Sequence, residues 1–93
     1  MKVEWDQRKA NLNIQKHGVD FEEAATVFSN PLALIFDDEW HSHTEEREII
    51  MGHSANRRLL AISFTMRRDA VRIISARLAT AKEQRDYEEN TYE

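Results

Sequence analysis

The hydrophobic pattern of this 93-residue chain changes at Asn30-Pro31. Upstream, between Phe21 and Phe28, apolar residues recur three or four positions apart, which is typical of an amphipathic helix. Downstream, they occur in short runs, which is typical of strands. Because a proline and the residue before it both disfavour helical backbone, this dipeptide separates two kinds of element. The pattern therefore predicts an α+β fold, with helices packed on a small antiparallel sheet.

Residues that typically begin or end helices predict the bounds of the elements. Because the chain has only 2 Gly and 1 Pro, the position of each is informative. Gly18 is suited to end a first helix in the left-handed conformation. Asp20 with Glu23, and Thr80 with Glu83, have the spacing of capping boxes that open two further helices. The predicted elements are strand 3–5, helix 7–17 capped by Asp6, a helix that Asn30-Pro31 ends, strands 32–36, 47–51, 59–65 and 70–76, and a terminal helix.

The predicted order is thus β-α-α-β-β-β-β-α, in one domain over residues 1–93 whose acidic end, 88–93, is expected to fray. Without cysteine, the chain can form neither a disulfide nor a thiolate metal site. It has no apolar run long enough for a membrane span, and its first residues lack the apolar core of a signal peptide. We therefore expect a cytoplasmic protein.

The charge is unevenly distributed along the chain. Residues 1–50 carry 5 Lys+Arg and 11 Asp+Glu, whereas residues 51–93 carry 8 and 6. Because salt screens charges over about 8 Å, an acidic chain can still present a basic surface to a polyanion. A solvated charged surface without a partner is the alternative interpretation.

The arginine that ends the strand pattern "VRIISAR", Arg77, is the first candidate for phosphate binding. Simple alternation places Val71, Ile73, Ser75 and Arg77 on one face of the strand. The planar guanidinium suits phosphate, but from spacing alone a salt bridge with a carboxylate is favoured. Antiparallel geometry groups Arg77 with Lys82 and with Arg57 or Arg58, and it separates Arg67 and Arg72 from them.

Two histidine-containing segments are further candidates. Lys16 and His17 end the first helix, where they could transfer protons or simply complement the helix dipole. His41, His43 and Glu45 alternate along the chain and could bind zinc or iron(II) in a metal-dependent hydrolase. A polar loop without a metal is the favoured interpretation of that triplet.

Several motifs together resemble the BrnT family of type II toxins. They are W-D-x-x-K at 5–9, K-H-G-V-D-F-E-E-A at 16–24, E-R at 46–47 and R-I-I-S-A-R at 72–77. The resemblance covers nearly the whole chain, from Val3 to about Glu89. It implies a fold like that of the RelE-type ribonuclease toxins, in agreement with the element order.

The resemblance also implies a function: RNA cleavage that arrests translation in a bacterial cytoplasm, without a cofactor or metal. The implied partners are the RNA substrate and a BrnA-like antitoxin, and operator DNA is bound only through the complex of the two proteins, which represses its own promoter. A two-fold heterotetramer is a possible form of that complex. The implied catalytic candidates are Arg77, His17, Lys16, Lys82 and Tyr87, and the RNA-binding candidates are Lys9, Arg57, Arg58, Arg67 and Arg72. The alternative is a subunit without catalytic activity that binds the antitoxin and strengthens repression.

Overall fold

A computed structural model of the chain describes residues 2–38 and 46–91. The predicted order of elements is confirmed. The elements are β1 (Lys2–Glu4), α1 (Gln7–His17), α2 (Phe21–Val27), β2 (Leu34–Asp37), β3 (Glu48–His53), β4 (Leu59–Arg67), β5 (Ala70–Leu78) and α3 (Ala81–Thr91). Within the described ranges, no helix is long and apolar enough to cross a membrane.

The five strands form one sheet in the order β1-β5-β4-β3-β2. Strands β2 to β5 pair antiparallel as a meander, each with the strand before it in the chain. Strand β1 differs from the expected antiparallel pattern, because it pairs parallel with β5. This is possible because β1 and β5 are far apart in the chain, so no hairpin fixes their relative direction.

One face of the sheet, called here the helical face, packs against α1 and α2. Its core is apolar, and Val19, Leu60 and Ile62 have no exposed surface. Two edge-to-face aromatic contacts extend this core, one between Trp5 and Phe21 and one between Phe28 and Phe64. Burial of this apolar surface is the main force that holds the two helices on the sheet. The sheet residues in the core are Ile50, Leu60, Ile62, Phe64, Val71, Ile73 and Ala76.

The ends of α1 follow the predicted signals. The Asp6 carboxylate accepts hydrogen bonds from the backbone N–H groups of Arg8 and Lys9 at 2.8 and 3.2 Å. At the other end Gly18 has φ of +70°, and its N–H donates to the Ile14 carbonyl. Both ends therefore satisfy backbone groups that a helix leaves unpaired.

The predicted capping box of α2 forms only in part. The Asp20 carboxylate accepts from the backbone N–H of Glu23 at 2.6 Å, as the motif requires. The Glu23 carboxylate does not bond back to Asp20; it accepts instead from the Ser54 hydroxyl at 2.6 Å and from the Arg58 guanidinium. A charged donor outcompetes a backbone amide for a nearly buried carboxylate, so Glu23 joins α2 to the β3–β4 turn.

A register shift between Ser63 and Phe64 corrects the predicted alternation of β5. Phe64 pairs with Ile73 but Ser63 pairs with Ser75, so Ile74 is an extra residue in the strand. Beyond this bulge the alternation is reversed. Val71 and Ile73 face the helical core, whereas Ser75 and Arg77 lie on the opposite face of the sheet.

Helix α3 covers one end of that second face, called here the open face. Its start is a complete capping box: Thr80 N–H donates to the Glu83 carboxylate at 2.9 Å, and Glu83 N–H donates to the Thr80 hydroxyl at 3.1 Å. Tyr87 packs with Met51 and Ala61 beneath the helix. The part of the open face beside α3 contains a groove.

Candidate RNA-cleaving site

Arg77 lies at the end of β5, as the strand pattern predicts, and α3 begins four residues later. The bulge in β5 directs it to the open face, where it pairs across the sheet with Ala61. Its side chain is 40% exposed. Arg77 is therefore held in the sheet at its backbone and available to solvent at its guanidinium.

The groove on the open face has a volume of about 330 Å³ and crosses three strands. Uncharged side chains of β3, β4 and β5 line its middle, and its charged residues lie on β5 and at the β2–β3 connection. Two cations and one carboxylate thus face the same space, an arrangement that can bind a phosphate and exchange a proton. The lining residues are Asp38, Arg47, Ile49, Ala61, Ser63, Ser75 and Arg77.

Asp38 and Arg47 were missed by the sequence interpretation as site residues. They flank the connection between β2 and β3, where the Asp38 N–H donates to the Arg47 carbonyl at 2.9 Å. Arg47 is two residues before Ile49, which lines the same groove, so strand alternation could have placed it on this face. Nothing in the sequence, however, indicates which face of the sheet is left open.

The salt bridge expected from spacing alone is present at Arg77. The Glu83 carboxylate accepts from Nη1 at 2.7 Å and from Nη2 at 3.0 Å. The hydrogen bonds from Arg77 are the main reason that the pKa of Glu83 is lowered to about 2, and they also raise the pKa of Arg77. Glu83 therefore stays ionised, and Arg77 stays charged, at any physiological pH.

Arg72 and Arg67 lie apart from the groove, as the hairpin geometry predicts. Arg72 also lies on the open face, where it pairs with Thr65, but the bulge in β5 separates it from Arg77. Arg67 lies at the β4–β5 turn and lines a second hollow of about 400 Å³ with Lys2 and Arg68. The carboxylates of Glu4 and Asp69 also line this hollow, which lies at the opposite end of β5 from the groove.

Arg58 does not join Arg77, because its guanidinium is engaged on the helical face. It donates to Glu23 and, at 3.3 Å, to the Gly18 carbonyl. Hydrogen bonding to Glu23 is the main cause of the raised pKa of Arg58, and hydrogen bonding from Arg58 is the main cause of the lowered pKa of Glu23. Arg57 is exposed in the same turn, with φ of +63°. The structure thus separates this pair from the groove.

The basic residues of α1 are on the helical side of the sheet. Lys9 and Lys16 are exposed, and His17 is half-buried in the last turn. None of the three lines the groove.

Lys82 and Tyr87 are both carried by α3, yet their environments differ. Lys82 is exposed in the first turn, next to Glu83. Tyr87 is 2% exposed, and its hydroxyl donates to the Leu32 carbonyl at 3.0 Å. Its ring also packs edge-on against His53. Of the two, only Lys82 is accessible to an RNA.

The predicted metal ligands His41, His43 and Glu45 lie outside the described residues. Within ranges 2–38 and 46–91, no group of three histidine or carboxylate side chains could hold a metal ion.

Comparison with known proteins gives the chain a family. Residues 5–83 match the family described as "Ribonuclease toxin, BrnT, of type II toxin-antitoxin system". Among solved structures, the 1.1 Å crystal structure of the Brucella abortus ribonuclease toxin BrnT matches with a TM-score of 0.66 and 29% sequence identity. The match covers 86% of this chain and 97% of the Brucella chain. No curated protein matches the sequence.

The match includes every element from α1 to the first residues of α3, and with them both arginines of the groove. A type II toxin implies an antitoxin protein as its partner, and the resemblance inferred from the sequence motifs is confirmed. The chain belongs to the BrnT family of ribonuclease toxins of type II toxin–antitoxin systems.

Proposed function

We propose that this protein cleaves single-stranded RNA in the groove of the open face and thereby inhibits translation. The observation that carries the proposal is the convergence of Arg47, Arg77 and Asp38 on one solvent-accessible space of about 330 Å³. A double helix is too wide for a space of this size, whereas one nucleotide with its phosphate is of the right order. The family supplies the ribonuclease activity itself.

The proposed reaction is attack of the ribose 2′-oxygen on the adjacent phosphorus. The 2′-hydroxyl proton passes to a base, the bond from phosphorus to the 5′-oxygen breaks, and that oxygen takes a proton from an acid. The products are a 2′,3′-cyclic phosphate and a 5′-hydroxyl, so atoms and charge balance without a metal or cofactor.

Arg77 and Arg47 bind the scissile phosphate in this mechanism. Their guanidinium groups offer planar pairs of N–H donors, which suit the charge that builds up on the phosphorane oxygens. Asp38, the carboxylate among the described residues that line the groove, is positioned to act as the base. Ser63 and Ser75 also line the groove and offer hydroxyl donors to the phosphate or the ribose.

The acid that protonates the leaving 5′-oxygen comes from the remaining cations. Lys82 is exposed and adjacent in the chain to Glu83, which contacts Arg77. Lys16 and His17 are the other candidates from the sequence, but α1 carries them on the helical side of the sheet, so Lys82 is the first choice. Tyr87 is assigned a packing role, because its hydroxyl is bound to the Leu32 carbonyl beneath α3.

The proposed outer contacts for the RNA backbone are the remaining basic candidates, Lys9, Arg57, Arg58, Arg67 and Arg72. Arg67 and Arg72 are the best placed of these, because they belong to β4 and β5, the strands that also carry the groove. Arg58 is the least available, since Glu23 holds it.

A BrnA-like antitoxin is the proposed partner, and the complex of the two is proposed to bind operator DNA and repress the operon. A two-fold heterotetramer would give that complex the symmetry of a palindromic operator. Bacterial cytoplasm is the proposed location.

The test of the cleavage mechanism is an assay with purified protein and a labelled single-stranded RNA. We expect cleavage that persists in EDTA and yields cyclic-phosphate ends. Arg77→Ala and Arg47→Ala should each lower kcat/KM by about 100-fold, because each removes a charged donor from the developing phosphorane. Arg8→Ala, an equal loss of charge on exposed α1, is the matched control and should stay within twofold.

Two outcomes would contradict the proposal. Intact RNA after incubation with folded wild-type protein would favour the alternative role, an antitoxin-binding subunit without catalytic activity. Cleavage abolished by EDTA would favour a metal-dependent hydrolase instead. Parallel assays of Lys82→Ala, Lys16→Ala and His17→Ala identify the acid as the variant whose kcat falls.

A further inference from the structure

The Glu83 carboxylate holds Arg77 by two parallel hydrogen bonds, one to each terminal nitrogen of the guanidinium. Such a fork-to-fork pair fixes the plane of the guanidinium as well as its position. A third, weaker bond from Nη1 reaches the Leu78 carbonyl at 3.3 Å. The orientation of Arg77 is therefore set by three contacts, two of which come from α3.

Glu83 is itself held in place at the start of α3. The carboxylate oxygen that accepts from Arg77 Nη1 also accepts from the Thr80 N–H at 2.9 Å, and the Glu83 N–H donates to the Thr80 hydroxyl. The low pKa of Glu83, about 2, agrees with a carboxylate that is ionised and fully bonded. The capping box thus fixes the side chain that in turn fixes Arg77.

The two partners belong to different hollows. Arg77 lines the groove on the open face, whereas Glu83 lines a separate hollow of about 260 Å³ with Leu34, Phe36 and Tyr87, beneath α3. Glu83 is not among the residues that line the groove. It does not occupy the space that a substrate phosphate would take.

Arg77 keeps donors for a ligand in this arrangement. Arginine has five N–H groups, and the contacts with Glu83 and Leu78 use hydrogens of the two terminal nitrogens. No hydrogen bond among the described residues uses the Nε–H. Because Nη2 lies on the same side of the guanidinium as the Nε hydrogen, the Nε–H and the outer Nη2–H form a second fork that can bind two phosphate oxygens.

We propose that Glu83 is a positioning residue for the RNA-cleaving site: it fixes the guanidinium of Arg77 so that the second fork faces the groove. This inference rests on the proposed function and names a residue that does not touch the RNA. The capping box that begins α3 would then also contribute to RNA cleavage, because it holds the Glu83 side chain.

The test is Glu83→Gln in the full-length protein. A glutamine keeps the capping box, because its amide oxygen can still accept from the Thr80 N–H. It removes the charge-assisted fork and presents at most one oxygen to Arg77. Glu89→Gln, which makes the same change of charge at an exposed position of the same helix, is the matched control.

We expect Glu83→Gln to lower kcat by roughly 10- to 100-fold, since small errors in the position of a catalytic group cost rates of this size. Its affinity for a 2′-O-methyl oligoribonucleotide, which binds but cannot be cleaved, should be equal to or higher than that of the wild type, because one negative charge is removed. Glu89→Gln should keep the wild-type kcat. Both variants are assayed under conditions where they are folded. A loss of kcat without a loss of affinity then separates the positioning role from a loss of stability, which would lower both.

A second measurement follows the guanidinium of Arg77 by nitrogen-15 NMR. In the wild type its terminal N–H groups should give separate signals because the Glu83 fork slows their rotation, and in Glu83→Gln these signals should merge. Unchanged kcat and unchanged signals in Glu83→Gln would overturn the positioning role. If wild-type protein leaves RNA intact, the proposed function fails, and the NMR signals alone decide whether Glu83 fixes Arg77.

Discussion

The side chain of Asn13 pairs with both backbone groups of Ala76, as a neighbouring strand would. Its Nδ2 donates to the Ala76 carbonyl at 2.8 Å, and its Oδ1 accepts from the Ala76 N–H at 3.1 Å. Strand β1 stops at Glu4, opposite Arg72, so β5 beyond that point has no strand on this side. A buried amide of α1 thereby completes the edge of the sheet one residue before Arg77.

Asn13→Ala should lower the free energy of unfolding by about 3 kcal/mol, because it leaves the buried N–H and carbonyl of Ala76 without partners. It also removes the hydrogen bond from Nδ2 to the Val19 carbonyl. Urea denaturation followed by circular dichroism measures the loss. Asn11→Ala, on the exposed side of the same helix, should cost less than about 0.5 kcal/mol, and an equal cost for both variants would contradict the account.

Acid should destabilise the protein through Glu23 and Glu83, whose pKa values are both lowered in the folded state. A depressed pKa contributes stability that is fully present above the unfolded value, 4.5 for these groups, and is lost as the pH falls through the folded value. For Glu83 the window therefore extends from pH 4.5 down to about 2.

Urea midpoints measured between pH 7 and pH 2 check this dependence. Glu83→Gln should be less stable than the wild type at pH 7 and should lose less stability on acidification, so the two curves converge near pH 2. Glu89→Gln should follow the wild-type curve. Parallel curves for the wild type and Glu83→Gln would show that the ion pair with Arg77 adds no stability.

Local features of this fold could be predicted because their signals lie within a few residues of each other. The caps of α1 and α3 depend on Asp6, Gly18 and the Thr80–Glu83 pair, and each forms as the spacing indicates. The change of period at Asn30-Pro31 likewise marks the passage from helices to strands. These interactions need no knowledge of distant parts of the chain.

The candidate site could be predicted only in part, because its geometry depends on contacts between distant residues. The bulge at Ile74 reverses the alternation of β5, and only the pairing of Ser63 with Ser75 reveals it. Similarly, Arg58 was grouped with Arg77 because both lie at the same end of the sheet. Its actual partner, Glu23, is 35 positions away, and no local pattern links the two.

Gly52 and Gly18 should respond to alanine for different reasons. A Cβ on Gly52 would lie 2.9 Å from the Ala33 Cβ and 3.2 Å from the Val27 Cγ1, whereas on Gly18 it would meet nothing within 4 Å. Gly52→Ala therefore costs packing energy, on the order of 1–3 kcal/mol. Gly18→Ala costs about 1 kcal/mol through its left-handed backbone.

A second substitution separates the two causes. Ala33→Gly removes the Ala33 Cβ, which is the atom nearest to the new methyl group on residue 52. Combined with Gly52→Ala, it should restore part of the lost stability. Combined with Gly18→Ala, it should restore none. Thermal midpoints of the two single variants and the two double variants test this. Equal rescue of both variants would mean that the close approach of Ala33 is not the cause.

Tyr87→Phe separates the packing role of this residue from the catalytic role suggested by its position in the sequence. The substitution keeps the ring between Met51 and Ala61 and removes the hydroxyl that donates to the Leu32 carbonyl. Stability should fall by about 1 kcal/mol, the usual contribution of one such hydrogen bond. The rate of RNA cleavage should not change at a temperature where both proteins are folded. A kcat lowered tenfold or more, with stability unchanged, would instead place the Tyr87 hydroxyl in the reaction.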